Sequence, residues 1–313
     1  MFDLSGTRVW VAGHRGMVGS ALWRAFESRG DIELLGWSRS ELDLTDRGAT
    51  LDAAAEARPD IVVLAAARVG GIVANDTSPV EFLTENLRIQ TNIMEAAHAV
   101  DVDRLLFLGS SCIYPREAAQ PMTPDMLMAG PLEPTNDAYA IAKLAGITAV
   151  RSYRRQHGRR WISCLPTNLY GPGDDFDPQT SHVLPALIRR FDEATRHDAP
   201  LVTLWGTGTP RREFLHVDDL AAACIHLLEH YDDATPINVG CGEDLTISEL
   251  AHLTANTIGY RGDIRWDATR PDGTPRKLLD VSPIQTLGWS PSIELEDGVR
   301  ATWEWYRDQQ ARG

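Results

Sequence analysis

The chain has 313 residues, enough for one large domain or two of moderate size, and its 43% hydrophobic and 24% charged residues are ordinary for a soluble globular protein. The formal net charge of −14 argues against non-specific nucleic-acid binding, which needs an excess of Lys and Arg to neutralise phosphates. No apolar run approaches the roughly 18 residues of a membrane span, so we expect neither nucleic acid nor membrane as a partner.

Apolar runs alternate with amphipathic stretches through the first half of the chain. Continuous apolar runs, typical of buried parallel strands, occupy residues 8–12, 32–36, 61–65, 104–108 and 161–165. The stretch 80–99 has the spacing of an amphipathic helix. Strands that alternate with helices in this way predict an α/β fold with a doubly wound parallel sheet of the Rossmann type.

The regular alternation of strands and helices ends after Tyr170, where a Gly/Pro/Asp loop begins. A helix over 217–230 and a strand over 237–239 are predicted to return to the sheet. We therefore predict a dinucleotide-binding Rossmann domain of residues 1–170 plus about 214–241. A smaller mixed α/β C-terminal domain, of about 171–213 plus 242–313, is predicted to bind the substrate.

Two residue types are informative by their scarcity. The four cysteines show no CxxC spacing, so we expect no disulfide, no zinc site and a reducing, cytoplasmic compartment, with no signal peptide. Of the 30 basic residues only Lys143 and Lys277 are lysines. They are candidates for positions where a compact ammonium serves and a planar guanidinium does not.

A glycine-rich turn follows the first predicted strand and opens a helix. It reads Gly13, His14, Arg15, Gly16, Met17, Val18, Gly19. Glycines at this spacing permit a tight turn and a close backbone approach, and the free N–H groups of a helix N-terminus attract a pyrophosphate. The turn therefore predicts a dinucleotide site.

The end of the second strand favours NADP over NAD. NAD enzymes usually place an acid there to accept from the ribose 2′-hydroxyl. This chain has Arg39 instead, and a guanidinium can pair with a 2′-phosphate. We predict that Arg15 adds a second positive contact and that Asp43 faces the adenine, with NADPH as the cofactor.

A Tyr139/Lys143 pair lies four residues apart in a predicted helix, on one face. We expect the ammonium to lower the pKa of the phenol, which would make Tyr139 a usable general acid near neutral pH. Ser110 follows the fourth strand, at the edge of the sheet where ligands bind. It is a candidate to hold a substrate carbonyl beside Tyr139.

These motifs resemble the extended short-chain dehydrogenase/reductase family, and within it the epimerase-reductases that act on GDP-sugars. The matching segments cover both predicted domains and include GHRGMVGS at 13–20, LFLGSSCIYP at 106–115, LEPTNDAYAIAKLAG at 132–146, PTNLYGP at 166–172, WGTGTP at 205–210, REFLHVDD at 212–219 and DGTPRKLLDV at 272–281.

The resemblance implies specific site residues and no metal. Reduction falls on Ser110, Tyr139 and Lys143, and epimerisation on Cys112 and His182. The cofactor contacts beyond the glycine turn, Arg39 and Asp43 are Lys143, Pro166, Thr167, Asn168, Leu169 and His182. The substrate contacts are Arg190, Trp205, Arg212, Asp272 and Lys277.

The resemblance also implies the reaction, an NADPH-dependent 3,5-epimerisation and 4-reduction of GDP-4-keto-6-deoxy-D-mannose by a homodimer. C3 and C5 both lie beside the C4 ketone, so a base can remove either proton to give an enolate. Three alternatives remain at this point: an NDP-sugar 4-epimerase with tightly bound NAD, a reductase of a related dideoxy GDP-sugar, and a non-catalytic cofactor-binding protein.

Overall fold

The computed structural model describes residues 2–270 and 272–312. The strands are β1 Arg8–Ala12, β2 Glu33–Leu35, β3 Ile61–Leu64, β4 Arg104–Leu108, β5 Ile162–Pro166, β6 Asn168–Tyr170, β7 Leu201–Trp205, β8 Arg211–Arg212, β9 Phe214–His216, β10 Ile237–Val239, β11 Leu245–Thr246, β12 Asp263–Asp267 and β13 Arg276–Lys277.

Ten helices complete the described fold, apart from two single 3-10 turns at Ser111–Ile113 and Pro124–Met126. They are α1 Met17–Glu27, α2 Arg47–Ala57, α3 Ile72–Thr77, α4 Pro79–Ala99, α5 Asp137–His157, α6 Val183–Arg196, α7 Val217–His230, α8 Ile247–Ile258, α9 Ser282–Thr286 and α10 Leu295–Arg312.

The central sheet has six parallel strands in the order β10-β5-β4-β3-β1-β2. The order reverses at β1, because β2 lies on one side of it and β3 on the other. Helices connect successive parallel strands and cover the sheet, as crossover connections require. The predicted doubly wound α/β fold is therefore confirmed, and its ligand edge is the one where β1, β4 and β5 end.

The predicted strands and helices differ from the structure only at their ends. The second strand spans Glu33–Leu35 rather than 32–36, and the predicted 80–99 helix begins at Pro79. The returning helix spans Val217–His230, as predicted. His216 precedes it and its Nδ1 accepts from the Asp218 amide at 3.3 Å, which makes His216 the cap of α7.

Buried side chains form two hydrophobic clusters. The first contains the central sheet, and the second packs α6, α8 and α10 around β7. Leu279, Val281, Ile284 and Trp289 pack with the first cluster, although they lie in the range predicted for the substrate domain. The division into two domains remains a proposal, and in it this short segment lies against the Rossmann core.

Three small sheets lie beyond the central one and carry much of the site. β6 pairs with β9 in parallel, β7 with β12 in parallel, and β8 lies between β11 and β13. In the last sheet Lys277 of β13 is the register partner of Arg212 of β8. None of the helices within 2–270 and 272–312 is both long and apolar enough to cross a bilayer.

Candidate active site

The glycine turn is shaped by contacts that exclude a side chain. Gly13 has a left-handed φ of 89°, and a Cβ there would lie 2.7 Å from the Ala66 main chain. A Cβ on Gly19 would overlap the carbonyl oxygen of Gly13, so α1 packs directly against the turn. Gly16 is the N-cap residue of α1, and neither a side-chain cap nor an acid occupies the first turn of this helix. The N-terminal amides of α1 are thus free for an anion.

Arg15, within this turn, and Arg39, after β2, are both exposed. Arg15 lies near the Glu41 carboxylate, whose pKa is lowered mainly by hydrogen bonds from Ser38 and further by the Arg15 charge. Arg39 projects from the loop after β2. Asp43 Oδ1 accepts from the Thr45 amide at 3.0 Å and from Thr45 Oγ1 at 2.8 Å, which lowers its pKa. The predicted role of Asp43 at the adenine remains a proposal.

Ser110, Tyr139 and Lys143 lie together at the carboxyl end of β4. Ser110 caps the short turn after the strand, and its hydroxyl accepts from the Cys112 amide at 3.2 Å. The Ser110 hydroxyl lies close enough to the Tyr139 phenol to influence the pKa of the phenol. Lys143 is buried, and its Nζ donates to the Leu108 carbonyl at 2.8 Å and lies 5.8 Å from the centre of the Tyr139 ring.

The expectation that Lys143 lowers the pKa of Tyr139 is wrong for this structure. Burial raises the pKa of the phenol above its ordinary value, the Cys112 thiolate adds to the rise, and the Ser110 hydrogen bond opposes it. Burial also lowers the pKa of Lys143 to about 8. The two groups share a desolvated site that disfavours both charged forms, so the phenol keeps its proton at neutral pH.

Cys112 lies between the reductive residues and two cations of the β8/β13 sheet. Lys277 Nζ lies 4.0 Å from Cys112 Sγ. Burial lowers the pKa of Arg212, and the negative charge of a Cys112 thiolate acts in the opposite direction. Both long cations come from paired strands in register. A thiolate at Cys112 is thereby placed beside the phenol and within reach of positive charge.

His182 lies immediately before α6, as the N-cap residue of that helix. The segment that leads to it packs on Gly71, whose amide donates to the Thr180 carbonyl at 3.0 Å. Although the ring is exposed, surrounding protein atoms desolvate it and lower its pKa, with the Asp175 charge opposing. Within 2–270 and 272–312 no hydrogen bond joins His182 to Cys112 or Tyr139, so its partnership with them remains a proposal.

Each of the two arginines predicted to bind the substrate follows an arginine that forms an ion pair. Arg189 binds Glu193 at 3.1 Å and Arg211 binds Asp244 at 2.8 Å. Arg190 and Arg212 make no ion pair within the described part of the chain, and burial lowers the pKa of each. They remain available for a phosphate.

The other two predicted substrate residues are Trp205 and Asp272. Trp205, at the end of β7, is 57% exposed. The Asp272 carboxylate accepts from the Thr207 amide at 2.9 Å and from Thr207 Oγ1 at 2.7 Å. Asp272 therefore fixes the loop that follows Trp205.

Glu213, which no sequence motif singled out, is a fully buried carboxylate that joins three parts of the site. Its two oxygens accept from the Gly242 amide at 2.7 Å and the Leu279 amide at 3.0 Å. Its main-chain oxygen accepts from Asn168 Nδ2 at 2.8 Å and from Thr167 Oγ1 at 3.2 Å. An acid directly before the apolar strand β9 was the available signal.

Comparison with known proteins identifies the family of the chain. The sequence profile of the NAD dependent epimerase/dehydratase family matches residues 9–240. The chain belongs to this family. The resemblance to extended short-chain dehydrogenases/reductases is thereby confirmed.

Within the epimerase/dehydratase family, the chain is similar to GDP-L-fucose synthases. The chain is 55% identical to GDP-L-fucose synthase of Escherichia coli K12 over 99% of both chains. It is 52% identical to GDP-L-fucose synthase 1 of Arabidopsis thaliana over 96% of this chain and 93% of that one. A GDP-L-fucose synthetase from Naegleria fowleri, solved bound to NADP, superposes with a TM-score of 0.91 at 25% identity, covering 99% of this chain and 96% of that one.

Proposed function

We propose that the chain converts GDP-4-keto-6-deoxy-D-mannose to GDP-L-fucose, by epimerisation at C3 and C5 followed by NADPH-dependent reduction at C4. The observation that carries the proposal is the position of Cys112. It lies beside the Ser110/Tyr139 pair on one side and Lys277 and Arg212 on the other. A plain reductase needs no base there, whereas an epimerase-reductase does.

The residues around the glycine turn fit NADPH. The free amides at the N-terminus of α1 suit a pyrophosphate, and exposed Arg15 and Arg39 suit a 2′-phosphate, with no acid at the end of β2. Thr167 and Asn168, held by Glu213, would lie along the nicotinamide. The bound cofactor supplies the hydride for C4.

Side chains of the protein, and not the cofactor, transfer the protons at C3 and C5. The Cys112 thiolate takes the proton beside the C4 ketone, and the electron pair moves onto the C4 oxygen. Ser110 and Tyr139 donate hydrogen bonds to that oxygen as its negative charge grows. His182 returns a proton to the opposite face of the carbon, which inverts the centre. Desolvation of His182 makes its imidazolium a stronger acid.

Protonation of the reduced C4 oxygen is assigned to Tyr139. Burial raises the pKa of Tyr139, so the phenol holds its proton until an alkoxide forms beside it. Lys143 donates to the Leu108 carbonyl and lies near the ring, which places a positive charge where a transient phenolate would form.

Paired variants test this division of labour. Tyr139→Phe should abolish NADPH oxidation while the substrate still exchanges protons at C3 and C5 with D₂O, because the carbon base remains. Cys112→Ala should suppress that exchange by at least about 100-fold. Cys241→Ala, which removes another half-buried cysteine, should leave both activities intact.

The result that contradicts the assignment is an equal loss of exchange and reduction in both active-site variants. Co-purified NAD would instead favour the 4-epimerase, which regenerates its cofactor in each turnover.

We also propose a cytoplasmic homodimer. All four cysteines are free, which suits a reducing compartment. Two long helices, α4 and α5, pack side by side and expose apolar side chains, with Val80 at 66% and Ile141 at 50% exposure. A second copy that covers this face would remove these side chains from water.

A further inference from the structure

The loop of residues 174–182, here called the His182 loop, lies between β6 and α6 and ends at His182. Just before the loop, Gly173 lies against α1, where a Cβ on it would come within 3.4 Å of the helix main chain. Near the other end, the Thr180 carbonyl accepts from the Gly71 amide at 3.0 Å. Both ends of the loop are therefore held by segments that follow strands of the central sheet.

The middle of the His182 loop is held by the C-terminal helix. The ring of Phe176 stacks on that of Tyr306 in α10, with centroids 4.5 Å apart and planes 25° apart. Trp305 of the same helix lies 6.2 Å away, also in a stacked arrangement. Because the loop is fixed at its ends and in its middle, the side-chain bonds within it determine the path of the chain to His182.

Asp175 forms the longest of these bonds. One carboxylate oxygen of Asp175 accepts from the Asp177 amide at 2.9 Å, and the other accepts from Thr180 Oγ1, five residues further along. The Asp177 carboxylate closes a smaller turn, by accepting from the Gln179 amide at 2.8 Å. Asp175 thus ties the start of the His182 loop to a residue that lies two positions before His182.

The surroundings of His182 disfavour its protonated form. Burial lowers the pKa of the imidazole. The ring also lies at the N-terminus of α6, where the helix dipole disfavours a cation, and the first turn of α6 contains no acid. The charge of Asp175 acts in the opposite direction and raises the pKa of His182. Asp175 therefore supplies the negative charge that the start of α6 lacks.

Neighbouring charged groups do not take over this task. Burial raises the pKa of Asp174 to about 7, with the Asp175 charge adding to the rise, so Asp174 keeps much of its proton at neutral pH. Among the groups that the structure describes, Asp175 is the one whose charge acts on the His182 ring. The segments packed against the loop carry the charged side chains Arg15, Arg24, Arg68, Asp76, Arg189, Arg190, Glu304 and Arg307.

We propose that Asp175 is a positioning residue for His182: its carboxylate closes the His182 loop and keeps a negative charge near the imidazole. The inference rests on the function proposed above, in which His182 returns a proton to C3 and C5. Only the imidazolium can give that proton, so a nearby carboxylate increases the fraction of the protein that can complete the step. Asp175 acts through His182 and not on the substrate.

NMR titration of the histidine rings in the full chain, without ligand, tests the charge of Asp175. His182→Gln identifies the signal of His182 by its absence. In Asp175→Asn, which keeps the shape of the side chain, the midpoint of His182 should fall by at least about 0.3 pH unit, a twofold loss of proton affinity. In about 1 M NaCl this difference should shrink, because the Debye length falls to about 3 Å.

Asp177→Asn is the matched control, because it removes an equal charge and a turn-closing carboxylate from the same loop. It should change the midpoint of His182 by less than about 0.1 pH unit at physiological salt. The midpoint of His98, which lies at the end of α4, should stay the same in both variants and reports that the fold is intact.

Proton exchange at C3 and C5 in D₂O gives the second readout. The pH profile of kcat/KM for exchange reports groups of the free protein. Its limb that titrates with His182 should move to lower pH in Asp175→Asn, by the same amount as the NMR midpoint. The KM for GDP-4-keto-6-deoxy-D-mannose should stay within about 2-fold, because the variant removes no contact with the substrate.

Three results overturn the role of Asp175. They are an unchanged His182 midpoint in Asp175→Asn, an equal fall in Asp177→Asn, and a midpoint that falls while the exchange profile stays in place. Failure of the proposed function has a different signature. A wild type that does not exchange protons at C3 and C5 would contradict the epimerase-reductase itself, whatever the midpoint of His182.

Discussion

Burial governs the ionisable residues at the centre of this site. Lys143 is 4% exposed, and its pKa of about 8 lies below the ordinary value of 10.5 because the charged form is desolvated. The residue donates to the Leu108 carbonyl and lies under the Tyr139 ring. The buried ammonium beside the phenol therefore lowers the stability of the folded protein.

The cost predicts a pH dependence of stability. Between about pH 8 and 10.5 the unfolded chain holds a proton on Lys143 that the folded chain has released. Unfolding then takes up a proton, so stability rises with pH through this window. The free energy of unfolding of the wild type, minus that of Lys143→Met, should rise by up to about 1.4 kcal/mol per pH unit. Urea denaturation from pH 7 to 10 measures it, and parallel pH profiles for the two proteins would refute it.

Glu213 provides a second prediction at the residue scale. Glu213→Gln replaces one of two acceptor oxygens by an amino group that faces a main-chain N–H. We expect a loss of about 2–4 kcal/mol in the free energy of unfolding, from a lost hydrogen bond to a charged group and an unpaired donor. Glu243→Gln, on an exposed neighbouring side chain, should change it by less than about 0.5 kcal/mol. Equal, small effects would show that Glu213 does not hold these loops together.

At the scale of elements, the contact between α1 and the glycine turn leaves no room for a side chain at Gly19. Gly19→Ala places a Cβ into the Gly13 carbonyl, backbone against backbone, and should cost more than about 3 kcal/mol of stability. Gly16 has an ordinary φ of −75°, and a Cβ there would lie 3.5 Å from the same oxygen. Gly16→Ala should therefore cost less than about 1 kcal/mol. Chemical denaturation without ligand compares them, and equal stability of the two variants would contradict the packing described.

Helices and turns could be predicted from the sequence where residues nearby in the chain determine them. The helix Val217–His230 carries acids in its first turn and an apolar face, and its bounds follow from the sequence alone. The glycine turn and the Tyr139/Lys143 spacing are equally local. The pKa of Tyr139 was not predictable, because it depends on burial by residues distant in the chain. The contacts of Glu213 with Gly242 and Leu279 are long-range for the same reason.

At the scale of the whole molecule, the site lies where separate parts of the chain meet. Ser110, Cys112 and Tyr139 lie at the edge of the central sheet, whereas Arg212 and Lys277 come from the small β8/β13 sheet. Glu213 binds main-chain amides on both sides of this junction. Reaction geometry therefore depends on how the central sheet and the small β8/β13 sheet are joined, as well as on the motifs within each.

The proposed dimer is also a property of the whole molecule. Val80→Asp places a charge on the exposed face of α4, where burial by a second copy would leave it desolvated. Light scattering after size exclusion should show a dimeric wild type and a substantially monomeric Val80→Asp protein. Met128→Asp, which changes an apolar side chain that is 74% exposed elsewhere, should remain dimeric. A wild type that is monomeric at micromolar concentration would refute the dimer.

We propose that one pocket both exchanges protons beside a sugar ketone and reduces that ketone. The decisive experiment is incubation of the protein with GDP-4-keto-6-deoxy-D-mannose and NADPH in D₂O, followed by NMR of the product. The expected product is GDP-L-fucose with deuterium at C3 and C5 and protium at C4. A reduced product that keeps protium at C3 and C5, with the manno configuration intact, would contradict it.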